Sequence, residues 1–220
     1  MFHYCPPKVL PDLFSETLPS GRFYTLPDGS RLPSVTTVLG VRKKASIQQW
    51  RDKVGSVEAN KITKKASGRG TGMHTLCEKY LRNEKNIYNG SMPDGKEMFL
   101  QIKPFVDRID NIHFQEQALY SKGIWMAGRV DVIAEFDGVL SVIDFKTSSK
   151  TKKREYVLDY FAQCTAYSMM YEELTGVPIN QLVIIMGVTN EKPQLFVEKV
   201  EDHTDYLLES IRIYKESLNK

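Results

Sequence analysis

GRVDVIAEFDGVLSVIDFK, residues 128–146, is the stretch that decides the fold of this 220-residue chain. An Asp-Gly pair at 137–138 separates two apolar runs, which is typical of a two-residue β-hairpin loop. With such a loop, Asp131 is predicted to lie directly opposite Asp144 on one face of an antiparallel strand pair. Side chains alternate between the faces of a strand, so Lys146 is predicted to share the face of Asp144.

Two carboxylates that face each other across a strand pair repel each other and destabilise the ladder unless something lies between them. A hard divalent cation takes carboxylate oxygens as ligands. Asp131 and Asp144 are therefore predicted to bind a divalent metal ion, with the ammonium group of Lys146 beside it. This arrangement is typical of a metal-dependent hydrolase.

The composition is that of a soluble globular protein, with 41% hydrophobic and 26% charged residues. The length suits one substantial core better than two domains. No apolar run is long enough to cross a bilayer. Residues 1–10 lack the features of a secretion signal or an organelle transit peptide. The sequence therefore predicts a cytoplasmic protein that has no membrane partner.

The chain has three cysteines, Cys5, Cys77 and Cys164, and they are widely spaced. An odd and dispersed set argues against a disulfide framework and against a cysteine-based zinc site. Three cysteines also provide fewer thiolate ligands than an iron–sulfur cluster needs. We therefore expect no iron–sulfur cluster.

The formal net charge is only +3, but the positive charge is concentrated in two segments. Nine Lys and Arg residues lie between Arg42 and Arg69, and a second cluster follows the hairpin at residues 146–154. A Lys-rich helix is usually just a solvated face. Because one cluster adjoins the predicted site, we favour binding of a polyanion such as nucleic acid.

The pattern along the chain predicts helices, then a β-meander, then helix, strand, strand and helix. Ser34 is predicted to cap a short helix that stops at Gly40, and the glycines of residues 68–72 are predicted to form a flexible elbow. Alternation predicts a hairpin at 22–32 and strands at 112–121, 125–136, 139–145, 181–188 and 195–200, and periodicity predicts helices at 47–66, 73–83, 96–111, 155–176 and 206–218. The fold class is therefore α/β (α+β mixed), with a central mixed sheet flanked by helices on both faces.

Five short motifs occur in one order along the chain. They are Gly70-Thr71-Gly72-Met73-His74, Glu116 within residues 114–118, Gly128-Arg129-Val130-Asp131, Asp144-Phe145-Lys146 and Gln163-Cys164-Thr165-Ala166-Tyr167. Together they resemble the PD-(D/E)xK nuclease superfamily, specifically its RecB-like exonuclease branch, over residues 33–167. The opening Pro33-Ser34-Val35-Thr36 further resembles the mitochondrial and phage members of that branch.

The resemblance implies a restriction-endonuclease-like core within a single nuclease domain at 1–220. Residues 1–111 are expected to form a mainly helical N-terminal part with a small hairpin. Residues 112–200 are expected to form the catalytic sheet, and residues 201–220 a C-terminal helix.

The resemblance also assigns roles to individual residues. The predicted catalytic residues are Asp131, Asp144, Lys146, Glu116 and Gln163, and the predicted metal ligands are His74, Asp131, Asp144, Glu116 and the backbone carbonyl of Phe145. Lys146 is expected to orient the attacking water and to stabilise phosphate charge. Two alternatives stay open: His74 as a capping or surface residue, and Glu116 as an exposed strand residue.

Phosphate and backbone contacts are assigned to polar groups around these motifs. The predicted DNA-binding residues are Arg69, Thr71, Thr147, Ser148, Ser149, Lys150, Lys152, Lys153 and Tyr167. For Tyr167 an ordinary helix–sheet contact is an alternative. Two roles are open for Trp50 and Trp125, stacking on bases or burial in the core, and burial is the favoured prediction for each.

The sequence thus predicts a monomeric, Mg²⁺- or Mn²⁺-dependent DNA exonuclease from a phage or bacterium. The resemblance favours single-stranded ends, and a basic helical arch over residues 42–69 would explain a preference for threaded ends. The main alternative is a structure-specific or nicking endonuclease with the same metal core. A non-catalytic nucleic-acid-binding module is a further alternative, and an RNA substrate stays open because nothing marks recognition of a 2′-hydroxyl group.

Overall fold

The computed structural model describes residues 1–6 and 9–219. The N-terminal half holds a small antiparallel sheet followed by four helices. The elements are β1 Phe14–Leu18, β2 Gly21–Thr25, β3 Arg31–Pro33, α1 Val35–Gly40, α2 Lys44–Val54, α3 Ser56–Leu81 and α4 Pro93–Val106. A 3₁₀ turn at Val41–Lys43 joins α1 to α2.

The remaining elements form one five-stranded sheet and two further helices. They are β4 Ile109–Ser121, β5 Met126–Phe136, β6 Val139–Ser148, α5 Leu158–Thr175, β7 Gln181–Val188, β8 Gln194–Lys199 and α6 Thr204–Leu218. The strand order is β4-β5-β6-β7-β8. β6 and β7 are parallel, since α5 crosses between them, and the other neighbours are antiparallel. The mixed sheet predicted from the sequence is confirmed.

Two hydrophobic clusters cover the two faces of this sheet. On one face, α1, α5 and α6 pack around Phe161, Tyr171 and Ile133. On the other face, α3 and α4 pack around Phe99, Leu76 and other buried side chains. β7 is buried along almost its whole length because it lies inside the sheet between two helical layers.

The hairpin has the register that the Asp-Gly loop predicts. Phe136 pairs with Val139 next to the loop, and the ladder continues to the pair formed by Val132 and Ile143. Asp137 and Gly138 have φ angles of 51° and 78°, the left-handed conformations that this turn requires. Moving further from the loop, Asp131 follows Val132 on β5 and Asp144 follows Ile143 on β6.

The predicted glycine elbow at 68–72 is wrong, because α3 runs unbroken from Ser56 to Leu81. Glycine in a helix interior lowers helix stability by about 1 kcal/mol relative to alanine, but close packing can offset that cost. Gly72 lies against Gly95 of α4, so that a Cβ on Gly95 would come within 2.8 Å of Gly72 Cα. The small residues therefore let two helices cross closely and do not form a joint.

The predicted basic helix at 47–66 is divided into α2 and α3 at Gly55, whose φ angle is 81°. Ser34 caps α1 as predicted, since its Oγ accepts the N–H of Thr37 at 3.0 Å. The prediction that Trp50 is buried is wrong: α2 contains no buried residue, and Trp50 is 36% exposed. Among the described residues, no helix is both long and apolar enough to cross a membrane.

Candidate active site

The candidate site lies where β4, β5 and β6 meet α3 and α5. One ligand atom from each of His74, Glu116 and Asp131 lies within 4.8 Å of the other two. His74 comes from α3, Glu116 from β4 and Asp131 from β5, so three separate segments of the chain build this cluster. We refer to these three side chains as the acidic cluster.

Glu116 reaches the acidic cluster through an irregular strand backbone. Its φ angle is 51°, which is uncommon for a residue with a side chain and costs about 1–3 kcal/mol. The regular ladder includes its neighbours, with Gln115 opposite Val132 and Gln117 opposite Val130. Gln115 Nε2 also donates to the carbonyl of Glu78 in α3 at 2.8 Å, which ties this part of β4 to the helix that carries His74.

Asp131 is held by the strand beside it and by α3. Its Oδ2 accepts the backbone N–H of Phe145 at 2.9 Å and lies 3.5 Å from Nδ1 of His74. The His74 ring packs edge-on against Phe145, with ring centroids 6.0 Å apart. The imidazole is therefore oriented toward the sheet, and it does not cap a helix, since it lies well inside α3.

Asp144 and Lys146 form a second group on the α5 side of the same site. Asp144 is 1% exposed and its Oδ2 contacts the Lys146 ammonium. Gln163 of α5 bridges the pair: its Nε2 donates to Asp144 Oδ1 at 3.1 Å, and its Oε1 accepts from Lys146 Nζ at 3.4 Å. Lys146 shares a face with Asp144, as strand alternation predicts, while Asp144 itself is not one of the three clustered groups.

Burial and mutual repulsion shift the pKa values of the acidic groups. Burial, followed by the charges of Asp131 and Glu78, raises the pKa of Glu116 to about 7. Burial likewise raises the pKa of Asp144, although the Lys146 ammonium opposes this rise. Burial disfavours the charged form of Lys146, but Asp144 and Asp131 outweigh it and raise its pKa. Lys146 is thus a fixed positive charge at neutral pH.

Tyr167 is buried in the helix–sheet interface and does not face solvent. It is 3% exposed, and its ring lies directly over Gly128 of β5. A Cβ on Gly128 would come within 2.8 Å of Tyr167 Cε1 and Oη. Gly128 of one sequence motif therefore packs against Tyr167 of another. Gly128 lies three residues before Asp131 on β5, so this contact is close to the acidic cluster.

The other predicted DNA-binding residues lie on α3, on β6 and in the loop that follows β6. Arg69 donates to Thr189 Oγ1 at 2.7 Å, and Thr71 is exposed on α3. Ser148 is buried and donates to the carbonyl of Lys150 at 2.6 Å. The remaining side chains are half-buried or exposed: Thr147, Ser149, Lys150, Lys152 and Lys153.

Reasoning from the sequence alone missed Tyr160. This residue lies in the first turn of α5, three positions before Gln163, and its ring contacts the Lys146 ammonium with 5.1 Å between Nζ and the ring centroid. Helical spacing to Gln163 and Tyr167 was the available signal, because i, i+3 and i+7 share a helix face.

A model of the PD-(D/E)XK nuclease superfamily matches residues 43–218. Because this match covers well over half of the sequence, the chain belongs to the PD-(D/E)XK nuclease superfamily. Members of this superfamily are nucleases that use divalent metal ions. The family assignment that the five motifs predict is thereby confirmed.

The chain is similar to two individual proteins. Mitochondrial genome maintenance exonuclease 1 from Mus musculus is 25% identical over 129 residues, which is 55% of this chain and 38% of that protein. A crystal structure from Eubacterium rectale, provisionally named an exonuclease, has a TM-score of 0.45 at 14% identity, covering 70% of this chain and 65% of that chain. The chain therefore spans less than two-thirds of the length of either protein.

Proposed function

We propose that this protein is a metal-dependent DNA exonuclease that hydrolyses phosphodiester bonds and prefers single-stranded ends. The observation that carries the proposal is the convergence of the acidic cluster with the Asp144–Lys146 pair in one site. Family membership supports the reaction class. The mouse relative is named an exonuclease, which supports attack from a strand end.

The donors of the acidic cluster suit a hard divalent cation. Two carboxylates offer oxygen ligands, and an imidazole nitrogen makes Mn²⁺ acceptable as well as Mg²⁺. Glu116 and Asp131 repel each other unless a cation separates them. We propose that His74 joins these two carboxylates as a ligand, with Asp144 and the backbone carbonyl of Phe145 as further ligands. When bound, such an ion polarises the phosphate and lowers the pKa of an attacking water molecule.

Lys146 acts as a charge and as a hydrogen-bond donor. Its raised pKa keeps it protonated, so it does not serve as a general base at neutral pH. Its ammonium orients the attacking water and stabilises the negative charge that develops on the phosphate. Asp144 and Gln163 hold the ammonium in place, since both contact it.

The substrate preference is supported by an exposed basic arm, which we define as residues 44–68. Its apolar side chains include Ile47, Trp50 and Ile62, which are 50%, 36% and 44% exposed. Lysine and arginine residues are interleaved with them. Unpaired bases stack on aromatic side chains while ammonium groups contact phosphates, so such a surface suits a single strand. We propose that the basic arm guides a strand end to the site.

Digestion of labelled DNA tests the proposal. Linear single-stranded, linear duplex and circular single-stranded DNA are incubated with Mg²⁺, Mn²⁺ or EDTA. We expect the linear single strand to be degraded with either metal and not with EDTA, and Lys146→Ala to abolish degradation. Lys199→Ala is the matched control, because Lys199 is an exposed lysine on β8. Persistence of linear DNA in every condition would overturn the proposal.

The circular substrate separates the exonuclease from the alternative endonuclease. A structure-specific or nicking endonuclease with the same metal core would cut covalently closed circles, whereas an enzyme that needs an end would leave them intact. DNA binding without cleavage in either metal would instead favour a non-catalytic module. An RNA strand of the same sequence tests the choice of DNA over RNA.

The biological setting is a further part of the proposal. We propose a monomer that acts as a single nuclease domain in the cytoplasm of a bacterial cell and is encoded by a phage or the bacterium. The resemblance to phage members of the RecB-like branch supports this setting. Sedimentation of the protein with and without DNA tests the monomer.

A further inference from the structure

Three ammonium groups surround the ring of Tyr160. Lys146, Lys152 and Lys43 place Nζ at 5.1, 5.4 and 5.6 Å from the ring centroid. Lys152 Nζ also donates to the phenol oxygen of Tyr160 at 3.3 Å. These lysines come from β6, from the loop after β6 and from the 3₁₀ turn before α2. The fold thus gathers positive charge from three separate segments around one aromatic ring.

The carboxylates near the ring do not neutralise all of this charge. Lys146 is paired with Asp144, and Lys43 is paired with Asp159. In the described part of the chain, the recorded contacts of the Lys152 ammonium are with Tyr160 alone. One positive charge is therefore left over, and the first turn of α5 adds the positive end of a helix dipole.

The backbone of Lys152 is fixed in place. Gln194 of β8 accepts its N–H at 2.7 Å and donates to its carbonyl at 2.9 Å. Both backbone groups of Lys152 are thus bound by one amide side chain. The side chain therefore starts from a fixed backbone position and its ammonium rests against Tyr160, so less freedom is lost when an anion binds.

We propose that Lys43, Lys152 and Tyr160 form a phosphate subsite beside Lys146, which takes the phosphate next to the one that is cleaved. The inference rests on the proposed function, since Lys146 belongs to both sites. The anion is either an internal phosphodiester or the terminal phosphomonoester of a strand end. Lys152 Nζ and the Tyr160 hydroxyl donate to its oxygens, and Lys43 adds charge from the base of the basic arm.

DNA binding in EDTA tests the subsite without cleavage. The dissociation constant of a single-stranded oligonucleotide with a 3′ fluorescent label is measured at several salt concentrations, with either a 5′-phosphate or a 5′-hydroxyl end. The variant is Lys152→Met, which keeps the aliphatic stem and removes the charge. Lys199→Met is the matched control. Loss of one phosphate contact on single-stranded DNA lowers the slope of log Kd against the logarithm of the salt concentration by about 0.7.

We expect Lys152→Met to show this smaller slope and Lys199→Met to show the slope of the natural protein. An equal loss on both oligonucleotides assigns the subsite to an internal phosphate. A loss confined to the 5′-phosphorylated strand assigns it to a terminal phosphate. An unchanged slope for Lys152→Met, together with an unchanged dissociation constant for a second variant, Tyr160→Leu, overturns the subsite. If the natural protein binds but cleaves no DNA, the proposed function fails while the subsite is still judged by the slopes.

Discussion

Replacing Gly128 with alanine tests whether the contact between β5 and α5 sets the geometry of the site. The added Cβ would come within 2.8 Å of Tyr167 Cε1 and Oη and within 3.2 Å of Cζ. Ordinary contacts are longer than about 3.4 Å, so the strand or the ring must shift by several tenths of an ångström. Tyr167 is buried and has little room to move, and overpacking of this kind costs about 1–3 kcal/mol.

Urea unfolding measures this cost against a matched glycine. Gly68 lies in α3 with no atom within 4 Å of its Cβ position, so Gly68→Ala should raise the free energy of unfolding by up to about 1 kcal/mol. Gly128→Ala should lower it by about 1–3 kcal/mol. The same alanine substitution is thus expected to stabilise the protein at position 68 and to destabilise it at position 128. We also expect Gly128→Ala to reduce nuclease activity, because β5 carries Asp131 three residues further on.

A double variant identifies the contact responsible. Tyr167→Leu removes the outer ring atoms that the new Cβ would meet. The cost of combining Gly128→Ala with Tyr167→Leu should therefore be smaller than the sum of the two single costs, by about 0.5–3 kcal/mol. Strict additivity, or a Gly128→Ala protein as stable as the natural one, would refute the reasoning.

Three further predictions follow from other parts of the structure. Gly95→Ala should lower the free energy of unfolding by about 1–3 kcal/mol, because its Cβ would meet the backbone of Gly72; unfolding in urea measures it, and an unchanged midpoint would contradict it. Burial lowers the pKa of His203 below its usual 6.5, so that below this pH the unfolded chain binds a proton that the folded chain does not. The contribution of His203 to stability should therefore fall as the pH drops below 6.5, while Glu116 and Asp144, whose pKa values are raised, contribute in the opposite direction. The stability of His203→Gln relative to the natural protein should accordingly rise as the pH is lowered; equal pH profiles in urea unfolding would argue against it. Asp131→Asn should weaken Mn²⁺ binding at least about tenfold in calorimetry, whereas Asp110→Asn, outside the acidic cluster, should bind as the natural protein does.

The sequence by itself determined the features that depend on neighbouring residues. The Asp-Gly loop set the hairpin register, and strand alternation placed Lys146 on the face of Asp144. The apolar run at 181–188 predicted β7 with its observed limits. These features follow from backbone periods of two residues and from the conformations that a short turn allows, and both can be read from a few adjacent positions.

The tertiary structure decided which distant residues meet. His74 and Glu116 reach Asp131 only because α3 packs beside the sheet and β4 is irregular at Glu116. The glycines around Gly72 resemble a flexible segment in the sequence, yet the crossing with α4 keeps α3 helical. The lysines around Tyr160 come from segments more than a hundred residues apart. No local period encodes such contacts, because they form only when separate elements bury their apolar faces against one sheet.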